Sequence, residues 1–203
     1  MKKQTEFQTK QYQIVKNIIS QDVAKLATQA LILSEADYMV KNSLKADSDG
    51  QVDGSQSFYS HSVTEALMLL LLPKIEKIVK EKLIPTYSYA RVYRNGAVLK
   101  EHTDRASCEI SVSIQLGAAG VTNKGGWAIT MGEEQLFLAN GDGVVYNGIK
   151  VPHKRDELFC EPNGFQVQCF CHYVKANGRF SRFAYDKRIG PGITKKNNEN
   201  YDT

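Results

Sequence analysis

The sequence predicts a mainly β, α+β fold: a double-sheet jelly roll (double-stranded β-helix) behind N-terminal supporting helices. Three observations carry that prediction. Two helical segments come first; about eight short strands follow; Gly/Asn-rich turns separate those strands. At 203 residues the chain suits one well-buried domain. It has no internal repeat and no linker that would divide it. The expected organisation is a flexible N-terminus over 1–9, a single domain over 10–189 and a disordered polar tail over 190–203. Helical support takes up 20–84 of that domain, and the jelly-roll core 85–175.

Tyr12 to Ile19 (YQIVKNII) is expected as a first strand. Ser20 then fits an N-cap with Asp22 in the first turn, and Val23, Leu26, Ala27, Ala30 and Leu31 follow at helical spacing. Asn42 to Ser57, rich in Asp, Gly, Ser and Gln, reads as a long polar loop. Ser62-Val63-Thr64-Glu65 has capping-box spacing. Leu67, Leu70, Leu71, Ile75, Ile78, Val79 and Leu83 continue an apolar face, and Pro73 is expected to kink or split that helix.

After Pro85 the period changes from helical to alternating. Over Thr86–Tyr93 one face carries Tyr87, Tyr89, Arg91 and Tyr93, the other Ser88, Ala90 and Val92. Asn95-Gly96 is a turn, and Val98–His102 is the next strand. Over Cys108–Leu116, Ile110, Val112, Ile114 and Leu116 form the apolar side. Glu109, Ser111, Ser113 and Gln115 form the polar side, a lining for any cavity beside the next strands. Short strands follow at 127–131, 135–138 and 144–146, then one running on from His153, and the last clear strand is Phe165–Val174.

Composition excludes little. Hydrophobic residues make up 42% and charged residues 24%, the balance of an ordinary soluble protein. The net charge of +4 permits an anionic ligand but does not argue for nucleic acid. The polar start of the chain does not resemble a secretory signal, and the most apolar run, Ala66–Leu72, is too short to span a bilayer. Reduced thiols at Cys108, Cys160, Cys169 and Cys171 and a cytoplasmic location are expected. Oligomeric state is not legible.

The chemistry concentrates at His102-Thr103-Asp104. Residues two apart on a strand face the same way, so His102 and Asp104 can hold one metal ion, with His153 closing the set from an opposite strand. Two imidazoles and one carboxylate with open positions beside them suit non-haem Fe(II) oxygen chemistry. Three protein ligands and open positions also suit a catalytic zinc, or a cupin-like site for Mn or Ni. A non-catalytic jelly-roll module binding carbohydrate or another ligand is the remaining alternative.

The segments Tyr89–Gly96, Leu99–Arg105 and Gly141–Tyr146, with His153, resemble the Fe(II)- and 2-oxoglutarate-dependent oxygenases, in particular the prolyl 4-hydroxylase-like branch. The likeness runs from about Thr86 to Val174. It implies Fe(II) on His102, Asp104 and His153, with 2-oxoglutarate and O2 as cosubstrates. It further implies hydroxylation of an unactivated C–H with release of succinate and CO2. Peptidyl proline is the family-level expectation for the substrate, with other peptides and small molecules open.

In that branch Tyr93 would help hold the far carboxylate of 2-oxoglutarate. The family's basic partner for that carboxylate is missing from Phe165–Val174, which offers Gln166 and Gln168 instead. Arg155, two residues after His153, is the first candidate to replace it, and Arg91 the second. Cys169-Phe170-Cys171-His172 reads as packing, because adjacent strand residues face opposite ways. Arg105 and Lys100 read as solvent-facing charges.

Overall fold

A computed structural model describes residues 5–43, 45–46 and 49–193. In chain order the elements begin with α1 (Glu6–Lys10), β1 (Tyr12–Val15), α2 (Gln21–Lys41), β2 (Gln56–Tyr59) and α3 (Ser62–Val79). Then come β3 (Leu83–Tyr93), β4 (Leu99–His102), β5 (Ile110–Val121), β6 (Ile129–Met131) and β7 (Glu134–Leu136). The last strands are β8 (Gly143–Tyr146), β9 (His153–Arg155) and β10 (Cys160–Lys175). Short 3-10 segments lie at Ala106–Cys108 and Ser181–Lys187.

The strands form two antiparallel sheets, the jelly roll the alternation predicts. The larger runs β1-β8-β5-β10-β3-β2 and the smaller β4-β9-β6-β7. Helices α2 and α3 cover the outer face of the larger sheet. Ala24, Ala27 and Leu31 of α2 and Leu67, Met68, Leu71 and Ile75 of α3 pack there with Ile110, Val112, Ile114 and Leu116 of β5. The apolar side of β5 therefore meets the helices, and its polar side turns in between the sheets. Two smaller apolar clusters lie elsewhere: Tyr93, Leu99, Trp127 and Leu158 form one, and Ile129, Met131, Val144 and Tyr146 the other.

Several local expectations change. The first strand stops at Val15, short of Ile19. Residues 5–9, read as loose, include a helical turn capped by Thr5 that buries Phe7. The loop expected over Asn42–Ser57 gives way at Gln56 to β2, which pairs along the edge of β3; positions 44, 47 and 48 lie outside the described residues. So does most of the expected tail, from 194 onward.

Of the kink or split expected at Pro73, the split does not occur: α3 runs through it from Ser62 to Val79. The missing amide costs least on a solvent side, and Leu69 and Leu70 one turn earlier are exposed. The cap of α3 is His61, not Ser62. His61 Nδ1 accepts from the Val63 amide (3.3 Å), which leaves Nε2–H to donate to Ser34 Oγ of α2 (3.0 Å). Glu65 turns inward instead of closing a capping box. Its carboxylate accepts from the Ser88 amide (2.9 Å) and hydroxyl (3.0 Å) and pairs with Arg188 (3.2 Å). A buried amide and a guanidinium outbid an end-of-helix bond that water can replace.

The turn at Asn95-Gly96 joins strands in different sheets rather than a hairpin, because β3 pairs with β10 and β2 while β4 pairs with β9. This crossing carries the chain from the Tyr/Arg face of β3 directly to the His-x-Asp strand.

Candidate metal centre and its pocket

His102 ends β4, Asp104 lies two residues beyond it, and His153 begins β9 as the register partner of His102. Their ligand atoms all fall within 4.8 Å of one another. Asp104 Oδ1 lies 3.8 Å from His102 Nε2 and 3.6 Å from His153 Nε2, and the imidazole centroids are 4.3 Å apart.

Both tautomers are set by the backbone. His102 Nδ1 meets the Lys100 carbonyl at 2.8 Å and His153 Nδ1 meets the Val151 carbonyl at 3.0 Å. A carbonyl only accepts, so each Nδ1 carries the proton and each Nε2 presents its lone pair to the centre. Burial pushes the His153 imidazole below its usual range, against the opposing charge of Asp104. The ring therefore favours the neutral, metal-binding form.

Asp104 is held on its far side. The Ser111 hydroxyl donates to Oδ2 at 3.0 Å and accepts from His172 Nδ1 at 2.9 Å. His172 is 5% exposed, packs against the Tyr87 ring, and is pushed down to about 4 by burial. The Asp104 amide donates to the Gly148 carbonyl (2.8 Å), and a Cβ at position 148 would collide with Asp104 Oδ2 and the Cys108 carbonyl. Reading Cys169–His172 as packing thus holds for the two cysteines, which lie in the core, and fails for His172. Neither His172 nor Gly148 carries a local signal; their partners are distant in sequence.

A pocket of about 320 Å³ opens over these groups. Tyr87, Tyr89, Arg91 and Tyr93 all line it, the shared face that alternation predicts, with His102, Asp104, His153, Tyr146 and His172 on the remaining walls. Arg105 also lines it, stacked 4.5 Å from the Tyr87 ring and bonded to Asp186. It is therefore not simply a solvent-facing charge. Lys100 is exposed.

The two candidate arginines occupy different places. Arg155 is 1% exposed, 4.8 Å from the Trp127 ring, and donates only from Nη1, to the Trp127 carbonyl (2.8 Å). Among the described residues its Nε and Nη2 have no partner, and neither do the Tyr93 hydroxyl and the amide nitrogens of Gln166 and Gln168. Burial pushes the Arg155 guanidinium down to about 10. Gln166 is the register partner of Tyr93 and Gln168 that of Arg91. Arg91 is as buried, but its Nη2 meets Asp49 Oδ2 and Gln51 Oε1 (3.0 Å) at the mouth of the pocket.

Compared by sequence, the chain matches no family model and no curated protein. Compared by structure, it is similar to HygX from Streptomyces hygroscopicus solved with nickel and 2-oxoglutarate bound. That match has a TM-score of 0.63 at 12% identity over 84% of this chain and 85% of that one. A prolyl-4-hydroxylase from Pseudomonas putida gives a TM-score of 0.57 at 16% identity, over 82% and 95%. The non-heme alpha ketoglutarate dependent epimerase SnoN from nogalamycin biosynthesis gives 0.61 at 12%, over 84% and 80%. The chain shares the fold of these three proteins. Identities this low speak for the scaffold, and the chemistry has to be argued from the residues.

Proposed function

We propose that the protein is an Fe(II)- and 2-oxoglutarate-dependent dioxygenase that hydroxylates an unactivated C–H bond of a small molecule or peptide. The observation that carries this reading is the pairing of two unfinished sites in one barrel. One is a three-ligand cluster with both Nε2 lone pairs turned inward. The other is a buried arginine whose Nε and Nη2, like the nearby Tyr93 hydroxyl, lack an acceptor among the described residues. A buried charge without a counter-ion is costly, so the second site calls for an anion, and a carboxylate fits a guanidinium fork. A keto acid would suit both sites, with His102, Asp104 and His153 holding the metal it meets and Arg155 taking its far carboxylate.

In this assignment His102, Asp104 and His153 hold the iron. Bound iron and 2-oxoglutarate supply the oxidising power with release of succinate and CO2. Asp104 offsets the charge of the ion. Ser111 and His172 keep its carboxylate in one orientation. Arg155 and Tyr93, with the amides of Gln166 and Gln168, fix the far carboxylate that the family's usual strand base would take. The tyrosine wall excludes water from the reacting side of the pocket. SnoN bears the word epimerase in its name, so this scaffold also serves an outcome other than hydroxylation. The prolyl 4-hydroxylase-like motif spacing taken alone suggests peptidyl proline, whereas the charged pocket wall suits a small acid.

The test is anaerobic addition of Fe(II) and 2-oxoglutarate. A visible charge-transfer band is expected in the wild type and absent in Asp104→Ala; a zinc or ligand-binding protein gives none. Wild-type-like 2-oxoglutarate turnover in Asp104→Ala would overturn the assignment.

A further inference from the structure

We infer that Arg91 and Tyr89 form a carboxylate-binding subsite for the substrate, and that Asp49 of this chain fills it in the free protein. The inference rests on the oxygenase reading and names the substrate class for it: a small molecule bearing a carboxylate.

The argument starts from Arg91. Its side chain is 2% exposed on the pocket wall, clasped between the rings of Tyr89 (5.4 Å) and Tyr93 (5.5 Å). A guanidinium so placed needs an anion. The anion is not built into the barrel. It is Asp49, in the non-regular stretch before β2, whose Oδ2 meets Arg91 Nη2 and accepts from the Tyr89 hydroxyl at 2.5 Å. Burial opposes ionisation of Asp49, but the Tyr89 hydroxyl and the Arg91 charge hold its carboxyl below the usual range.

The neighbouring contacts fit an occupant that can be exchanged. Arg91 Nε has no partner among the described residues, so the fork is half used. Gln51 lies 3.4 Å from His102 Nε2 and also bonds Arg91, so the same stretch reaches over a metal ligand. Asp49 keeps 30% of its side chain exposed, so it can pass to water as another anion takes its place on Arg91. A ligand carboxylate can take the place of Asp49, using Nε as well as Nη2 of Arg91 and keeping the Tyr89 bond. Arg155, packed on Trp127, stays reserved for the cosubstrate.

The test uses N-benzoylglycine and its carboxamide, equal in size and differing in charge. Each is titrated by calorimetry into protein loaded with Fe(II) and 2-oxoglutarate without oxygen. Wild type is expected to prefer the carboxylate. Asp49→Asn removes the internal competitor and should tighten the carboxylate about tenfold with little change for the amide. Arg91→Gln should abolish the preference, and Arg91→Lys should keep part of it, which guards against a folding defect. Weaker or unchanged carboxylate binding in Asp49→Asn would mean that Asp49 is a structural tie, and would overturn the inference. So would equal binding of acid and amide by both wild type and Asp49→Asn, or no binding of either. The charge-transfer band is read in the same samples. Its absence in wild type counts against the oxygenase reading, whereas its presence with no carboxylate preference counts against the subsite alone.

Discussion

Arg155 and Ser111 show how a side chain gains a role from what it lacks or what it holds. The free guanidinium nitrogens of Arg155 are a standing cost to the empty protein, worth several kcal/mol in a desolvated site before any counter-ion arrives. Arg155→Met should therefore stabilise the metal-free protein by about 1 kcal/mol after the lost bond to the Trp127 carbonyl is counted, seen as a higher melting temperature. The same change should weaken 2-oxoglutarate at least tenfold, at ~1.4 kcal/mol per tenfold for a lost charge-assisted bond. Equilibrium melts and cosubstrate titrations read the two effects separately. Ser111→Ala removes the hydroxyl that fixes Asp104 but no metal ligand, so iron affinity should fall by roughly 10–100-fold with the fold intact. An unchanged iron dissociation constant would deny Ser111 that role.

The elements differ in how far their own residues explain them. Period-two alternation made β3 and β5 legible, including the β3 face that meets the pocket and the β5 face that meets the helices, since a strand with one face on the helices has only one workable register; the polar residues of β5 do not themselves line the pocket. The metal ligands were legible for the same reason: a two-residue spacing at a strand end fixes a shared face. What the sequence concealed depends on partners brought in by topology. Glu65 sits at a capping-box position, yet it is claimed by Ser88, 23 residues away, and by Arg188, 123 residues away. β2 is a short edge strand within polar sequence, and it exists because β3 offers an open edge. Asp49 and Gln51 were legible only as loop residues.

The turn before β8 gives a prediction at this scale. Asp142 is nearly buried, and burial opposes its charge. Lys16 (2.8 Å) and the amides of Asn17 (2.9 Å) and Ala139 (3.0 Å) outweigh that and hold its carboxyl below the usual range. A lowered carboxyl stabilises the fold above the unfolded value near 4, and that stability is lost as pH falls through the folded value. Wild type should lose stability steeply in that acid range. Asp142→Asn should be less stable at neutral pH, by about 1–3 kcal/mol, with a shallower acid slope in denaturant titrations.

At the scale of the whole molecule, the two ends of the described C-terminal segment are tied to the helical layer and to the pocket mouth. Arg188 donates to Glu65 and to the Thr86 carbonyl, Gly192 donates to Glu65, and Asp186 holds Arg105 and Tyr59. Arg188→Met alone leaves a buried carboxylate without its cation and should cost roughly 3–5 kcal/mol. The double change Glu65→Met with Arg188→Met should recover much of that loss, a coupling that a double-mutant cycle on thermal melts measures. Strict additivity would show that the pair does not act as a unit. Among the described residues no helix is long and apolar enough to cross a membrane.

Trp127 is the only tryptophan in the chain, and its indole touches both Arg155 (4.8 Å) and Tyr93 (4.8 Å). The protein therefore carries a built-in optical gauge at the inner end of the barrel, free of background from any other indole. Emission should shift when a carboxylate neutralises the neighbouring guanidinium, and stay constant when a ligand reaches only the mouth. Filling of the inner and outer seats can thus be followed independently, in unlabelled protein and without turnover.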